Sequence, residues 1–268
     1  MKLFIDSRKR FERAVFHAEA IKTVWETLVD LKAYKTVIEP NSDWTEAVVR
    51  YQRTSPIPEH NLALQFGEMF YQLRSALDNL VYEASMILEK TNPPSNENSV
   101  EFPICSDPAK FSKNSVNRPP FPQKLRDWIE SVQPYNVSKC ATTEEKIRVY
   151  ALRVLHDCAR KDRHRRLHVV AAPLTEVGWS FFPIPGRILS ITPLNMNLLE
   201  GDDEFLRLRL EGFDPKGSNE KIELNSDALF EISIDEIPLV IPGDSQRAMG
   251  AIFDSVNHVI VYFEDWFK

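Results

Sequence analysis

Two stretches of the sequence carry residue types that could do chemistry together. Arg74 and Asp78 are four apart, and Asp157, Lys161 and His164 follow at i, i+4 and i+7. If both stretches are helical, each set lies on one face of its helix, beside the apolar stripe. Guanidinium and ammonium groups can hold an anion, an imidazole can move a proton near neutral pH, and a carboxylate such as Asp157 or Asp162 can orient that imidazole. The candidate catalytic residues are therefore His164, Arg163, His168, Arg74 and Asp78. The same types at this spacing also make a helix-to-helix ion-pair network that fixes packing and nothing more. Around His164 lies a strongly basic run, Arg160-Lys161-Asp162-Arg163-His164-Arg165-Arg166-Leu167-His168. Such runs attract phosphate backbones, so Arg160, Lys161, Arg165 and Arg166 are candidate binding residues for a nucleic-acid or protein partner.

Other chemistries find weaker handles. His164 and His168 are i, i+4 and would suit zinc if both were helical, but no cysteine or carboxylate supplies a third ligand at supporting spacing. No metal site and no cofactor are expected. Cys158 falls on an apolar stripe and reads as a small buried hydrophobe, not a nucleophile. There is no G-x-S-x-G elbow, no P-loop and no G-x-G-x-x-G. Whether the chain is an enzyme stays open at this point.

The bulk properties bound the class. A chain of 268 residues with 43% hydrophobic and 27% charged residues can bury a sizeable core. Its net charge of -6 argues against coating nucleic acid or an anionic membrane over the whole surface, so any anion binding is local. Three cysteines, Cys105, Cys140 and Cys158, show no CxxC spacing and suggest a reducing compartment. No stretch approaches the roughly 20 apolar residues of a membrane span, and the N-terminus lacks the order of a secretory signal. A cytoplasmic location is expected.

Periodicity then supplies the elements that must position these residues. Phe11, Ala14, Val15, Ala18, Ile21, Trp25, Leu28 and Leu31 mark a long first helix, ended by Pro40. A short extended piece follows at Ala47 to Arg53. Phe66, Met69, Phe70, Leu73, Leu77, Leu80, Ala84 and Leu88 mark a second helix over roughly 62–90. Thr91 to Pro120 reads as a long excursion with apolar touches at Phe102, Ile104 and Phe111. Leu125, Trp128, Ile129 and Val132 give a short third helix. Thr142 and Glu145 form a capping box ahead of a fourth, with Ile147, Ala151, Val154 and Cys158 on its buried side. The period changes to two at 168–174, 179–184, 188–194, 205–210 and 229–234. A last helix from Asp244 or Ser245 buries Ala248, Ile252, Val256, Val259, Phe263 and Trp266.

The expected fold is α+β: a long-helix bundle with a mainly antiparallel β-sheet inserted before a C-terminal helix. No linker divides the chain, so it reads as one compound domain, mainly helical over 1–166, β-rich over 167–242, and helical over 243–268, which packs back on the helical part. Long apolar helices over 8–35 and 244–268 offer a homodimer face.

Two resemblances add to this. The strings Leu73-Arg74-Ser75-Ala76-Leu77-Asp78-Asn79-Leu80, Phe102-Pro103-Ile104, Gln133-Pro134-Tyr135, and Leu155-His156-Asp157 leading to Asp162-Arg163-His164-Arg165 are spread over the middle of the chain, from Leu73 to Arg165. They resemble the LRSALDHL, FPI, LQPY and DKHR pattern of a family of uncharacterised bacterial and phage-associated proteins. Here Asn79 stands for His and Arg163 for Lys. Arg163, four residues and His168 also resemble the R-X4-6-H motif of HEPN-type ribonucleases, all-helical enzymes in which that pair is implied to cut RNA without a metal. With a histidine at 79, Arg74 would form a second such pair, which this chain lacks. The expectation is thus a non-catalytic binding protein, linked to mobile elements or defence, with a metal-independent HEPN-like ribonuclease as the alternative.

Overall fold

A computed structural model describes residues 3–30, 34–56, 58–95, 97–117, 120–164, 167, 169–173, 180–182, 187–193, 203–212, 223–225, 230–234 and 245–268. The fold is α+β. By contacts the chain divides into two compact units, one formed by 1–21, 61–167 and 236–268, the other by 22–60 and 168–235.

The first unit is helical. Helix α1 (Ile5–Asp30) begins in it, joined by α2 (Glu59–Glu89), α3 (Pro108–Phe111), α4 (Gln123–Ser131), α5 (Thr143–His164) and α6 (Ser245–Trp266). Helix α2 is central: Phe66, Met69, Phe70, Leu73, Leu77, Leu80, Val81 and Ala84 are buried along it, a wider apolar face than a surface helix needs. The expected capping box starts α5, where Glu145 N–H donates to Thr142 Oγ1 and the Glu145 carboxylate accepts from Thr142 N–H. Helix α6 buries Ile252, Val256, Val259, Ile260 and Phe263, and Tyr262 stacks on Trp128 of α4 with ring centroids 3.5 Å apart. The start of α1 is tied across the sequence to α6, where Arg8 holds Glu264 at 2.6 Å and donates to Asn257.

The second unit contains a four-stranded antiparallel sheet in the order β1-β2-β6-β5, from β1 (Tyr34–Pro40), β2 (Glu46–Arg53), β5 (Arg187–Pro193) and β6 (Asp203–Glu211). Two further pairs are β3 (Val169–Pro173) with β8 (Phe230–Ile234), and β4 (Ser180–Phe182) with β7 (Glu223–Asn225). Leu206, Leu208 and Leu210 of β6 are buried while Arg207 and Arg209 are exposed, the alternation of a half-buried strand. Leu208 and Leu206 pair with Ala47 and Val49 of β2, so one apolar face runs across both strands. Arg50 locks the register from the polar side, reaching Glu39 at 3.0 Å and Glu204 at 2.6 Å.

Two expectations change here. The first helix does not run to Pro40: α1 ends at Asp30, and Tyr34–Pro40 is a strand. Thr36, Val37 and Ile38 are consecutive β-branched residues, whose stiff side chains suit a pleated surface better than a helix. The main sheet is also not built from the 167–242 stretch alone, because the β1-β2 hairpin supplies half of its strands. Among the described residues no helix is long and apolar enough to cross a membrane.

One close approach in the helical unit fixes a residue choice. Gly67 lies inside α2, and a Cβ there would collide with the Asp162 carboxylate of α5. Glycine in a helix interior costs about 1 kcal/mol relative to alanine, so its presence is explained by what alanine would displace. Gly67→Ala is expected to destabilise wild type relative to the same change made in an Asp162→Ala background. A positive coupling of about 1 kcal/mol in a urea double-mutant cycle checks this, and additivity would refute it.

Candidate functional site

An extended segment from Glu101 to Cys105 crosses the helical unit outside any β-ladder, with Phe102 and Ile104 buried. Its main-chain polar groups still need partners. Asp78 accepts from Phe102 N–H at 2.9 Å, and Arg74 Nη2 donates to the Phe102 carbonyl at 2.7 Å. Arg74 and Asp78 pair with each other at 2.9 Å. Gln133, fully buried at the end of α4, accepts from Cys105 N–H and donates to the carbonyls of Pro103 and Ile129. Three side chains thus replace the strand neighbour that the segment lacks.

Beside this clamp lies a recess of about 150 Å³ between α2 and α5. Arg74, Asp78 and Tyr71 line it from α2, Glu101 to Cys105 from the segment, and His156, Ala159 and Arg163 from α5. Arg74 is only 9% exposed, and its Nη1 is buried with no hydrogen-bond partner. His156 Nδ1 is likewise buried and unpartnered. Arg163 donates from Nε to Ala159 O of its own helix at 3.3 Å. Glu101 sits at the mouth, largely exposed, 3.9 Å from Arg74.

The electrostatics follow from burial and from the two arginines. Desolvation holds the His156 imidazole below the ordinary histidine range, and Arg74 lowers it further. Burial pushes the Asp78 carboxyl up, against the pull of Arg74. The Cys105 thiol is raised by burial and then by Glu101, so it is no thiolate nucleophile. Cys158 is fully buried and its thiol is raised by desolvation, in keeping with a core role.

The recess collects part of the constellation expected from spacing. Arg74, Asp78 and Arg163 come together. Asp157 and Lys161 are not among its lining residues, and Asp157 pairs instead with Arg153 of its own helix at 3.8 Å. The α5 residues that line the recess are His156, Ala159 and Arg163, with His156 and Arg163 each one position before Asp157 and His164 of the expected set; a single residue rotates the wheel by about 100°. Arg160 is exposed, close enough to His156 to depress its protonation. The side chain of His164, and residues Arg165, Arg166 and His168, lie outside the described residues. His156, Phe102 and Gln133 were not singled out by spacing, although all three occur in the motif strings. Among the described residues no group of three or more metal-ligating side chains forms.

No protein-family model, no curated protein and no solved structure matches this chain.

Removing the clamp from the α4 side should be costly. Gln133→Leu keeps volume but strands the Cys105 N–H and the carbonyls of Pro103 and Ile129, for an expected loss of about 3 kcal/mol in urea unfolding. Faster hydrogen exchange at the Cys105 amide should accompany it, and an unchanged midpoint would refute the clamp. A second expectation concerns acid. Because the folded-state value of His156 is depressed, the unfolded chain takes up that proton first, so this residue's contribution is complete above about pH 6.5 and is lost as pH falls toward the folded value. Asp157, Arg160 and Arg163 on α5, and Arg74, Asp78 and Glu101 opposite, surround the ring or line its recess. The raised carboxyl of Asp78 acts in the opposite sense and is present in both proteins. His156→Gln is therefore expected to lose less stability than wild type between pH 7 and 5, measured as midpoint against pH.

Proposed function

We propose that this chain is a non-catalytic binding protein whose helical unit presents the Arg74–His156–Arg163 recess, in the bacterial or phage-associated setting that its motif strings resemble. The observation that carries this reading is the commitment of Arg74 and Asp78 to the Phe102 main chain. Residues that hold a buried segment in place are poorly suited to gain and lose charge in each turnover. What is left over is a small recess with spare hydrogen-bonding capacity, which suits recognition. The exposed Arg160, at the start of the basic run, extends positive charge along α5 toward a partner.

A ribonuclease is the second reading, and one observation favours it. A neutral imidazole beside two guanidinium groups is the set that a metal-independent phosphodiester cleavage uses, with the ring as base and an arginine on the developing charge. In that case His156 takes the role that spacing assigns to His164 or His168.

Incubating the purified chain with mixed cellular RNA, with and without EDTA, separates the two. The binding reading expects no cleavage, together with retention of RNA or protein partners that weakens in Arg160→Glu. Cleavage that survives EDTA and vanishes in His156→Ala and Arg163→Ala, both still folded by circular dichroism, would replace it with the nuclease.

A further inference from the structure

We propose that the recess between α2 and α5 is an oxyanion site that takes a phosphoryl group, held by Arg74 Nη1, Arg163 and His156; this rests on the reading of the recess as a binding site. The strongest observation is the orphan donor. Arg74 is nine-tenths buried and uses Nη2 for both Asp78 and the Phe102 carbonyl, yet Nη1, equally buried, has no acceptor. A charged donor left unpaired in a protein interior is costly, and native structures almost always supply its partner. Arg74 is among the residues that line the recess, where a small shift of its guanidinium would bring Nη1 to an acceptor.

The other walls agree on what that acceptor is. Among the described residues the terminal nitrogens of Arg163 make no hydrogen bond or ion pair, and its guanidinium lies near enough to stabilise the Asp78 carboxylate. The unpartnered Nδ1 of His156 can donate as a neutral tautomer. Donors thus come from two helices. A planar carboxylate is satisfied by one guanidinium fork, whereas a tetrahedral group with three free oxygens uses donors from several directions. The two arginines are balanced by Asp78 and Glu101, so the anion is held by unused hydrogen-bond donors and not by an excess of positive charge. Size is sufficient: a recess of about 150 Å³ has room for a phosphoryl group. Tyr71 and Glu101 line the recess and are exposed, so anything attached to the phosphoryl group would leave past them. Glu101 is the built-in competitor, a carboxylate 3.9 Å from the Arg74 guanidinium that an incoming anion has to outbid.

Calorimetric titration of the full chain with inorganic phosphate, methyl phosphate and acetate at low salt tests this. Both phosphates are expected to bind one-to-one and acetate not. Arg163→Gln should weaken phosphate binding at least about ten-fold. Glu101→Gln, at an exposed position, should tighten it, a gain that misfolding cannot imitate. Arg207→Gln in the sheet unit should leave it unchanged. Tighter binding of inorganic than of methyl phosphate identifies the free ion as ligand, and the reverse identifies an ester end. Absence of saturable phosphate binding, or equal affinity in wild type and Arg163→Gln, would overturn the site. If phosphate binds and RNA is also cut, the oxyanion site stands and the non-catalytic reading falls. If neither occurs, the site falls and the binding reading survives with another ligand.

Discussion

The helical unit depends on satisfying one stretch of main chain. From Glu101 to Cys105 the backbone passes through the interior without a strand beside it or a helix of its own. Burying Phe102 and Ile104 is favourable, by about 2 kcal/mol each, but it carries peptide groups away from water. Arg74, Asp78 and Gln133 provide the acceptors and donors, and each is anchored on or at the end of a helix that packs for other reasons. An arginine suits the task because its fork reaches a carbonyl and a carboxylate from one nitrogen while keeping a second nitrogen in reserve. That reserve makes the same residue both a brace and a candidate ligand-holder.

The paired charges gain little by themselves, since desolvation offsets much of their attraction. Their effect is to fix which way the segment runs. With Phe102 held at both its N–H and its carbonyl, the following residues can form only one wall of the recess, facing His156 and Arg163. Burial and the neighbouring cations disfavour protonation of that imidazole, so the positive charges at the recess are those of Arg74 and Arg163, beside the carboxylates of Asp78 and Glu101. The acidic net charge of the whole molecule is no obstacle, because screening confines such a field to roughly 10 Å at ordinary salt.

Much of the architecture was legible from periodicity. The wide apolar stripe of α2, the Thr142–Glu145 box before α5, the apolar face of α6 and the alternation in β6 are local signals, and each element lies close to where its pattern places it. The hairpin of β1 and β2 was only half legible. Its second strand was visible as an extended piece, but Tyr34–Pro40 follows an amphipathic helix closely enough to be absorbed into it, and β6, the strand that joins the hairpin to the rest of the sheet through β2, is far along the chain. The candidate site was legible as a set of strings and not as a geometry. Arg74 and Asp78 stand out by spacing, whereas Gln133 and the main chain of Phe102 have no periodic signature, since a side chain bonding to backbone leaves no pattern of charges. Spacing points to His164 and not to His156 because a helical wheel gives the direction of a face only to within a residue.

The connectivity of the two units bears on how the chain can acquire structure at all. In the sheet, β2 pairs with β6 across some 150 positions, from Arg50 to Glu204. In the bundle, Arg8 meets Glu264 across 256. Each unit is therefore threaded through the other in sequence, and neither exists as an uninterrupted stretch. A ribosome that has released the first two hundred residues has completed neither core, so apolar α2 and the edge of β2 wait exposed until the remainder emerges. Long-range pairings of this kind slow folding and lengthen the time during which such surfaces attract chaperones or other chains. For the same reason neither half can be isolated as a contiguous fragment and expected to fold.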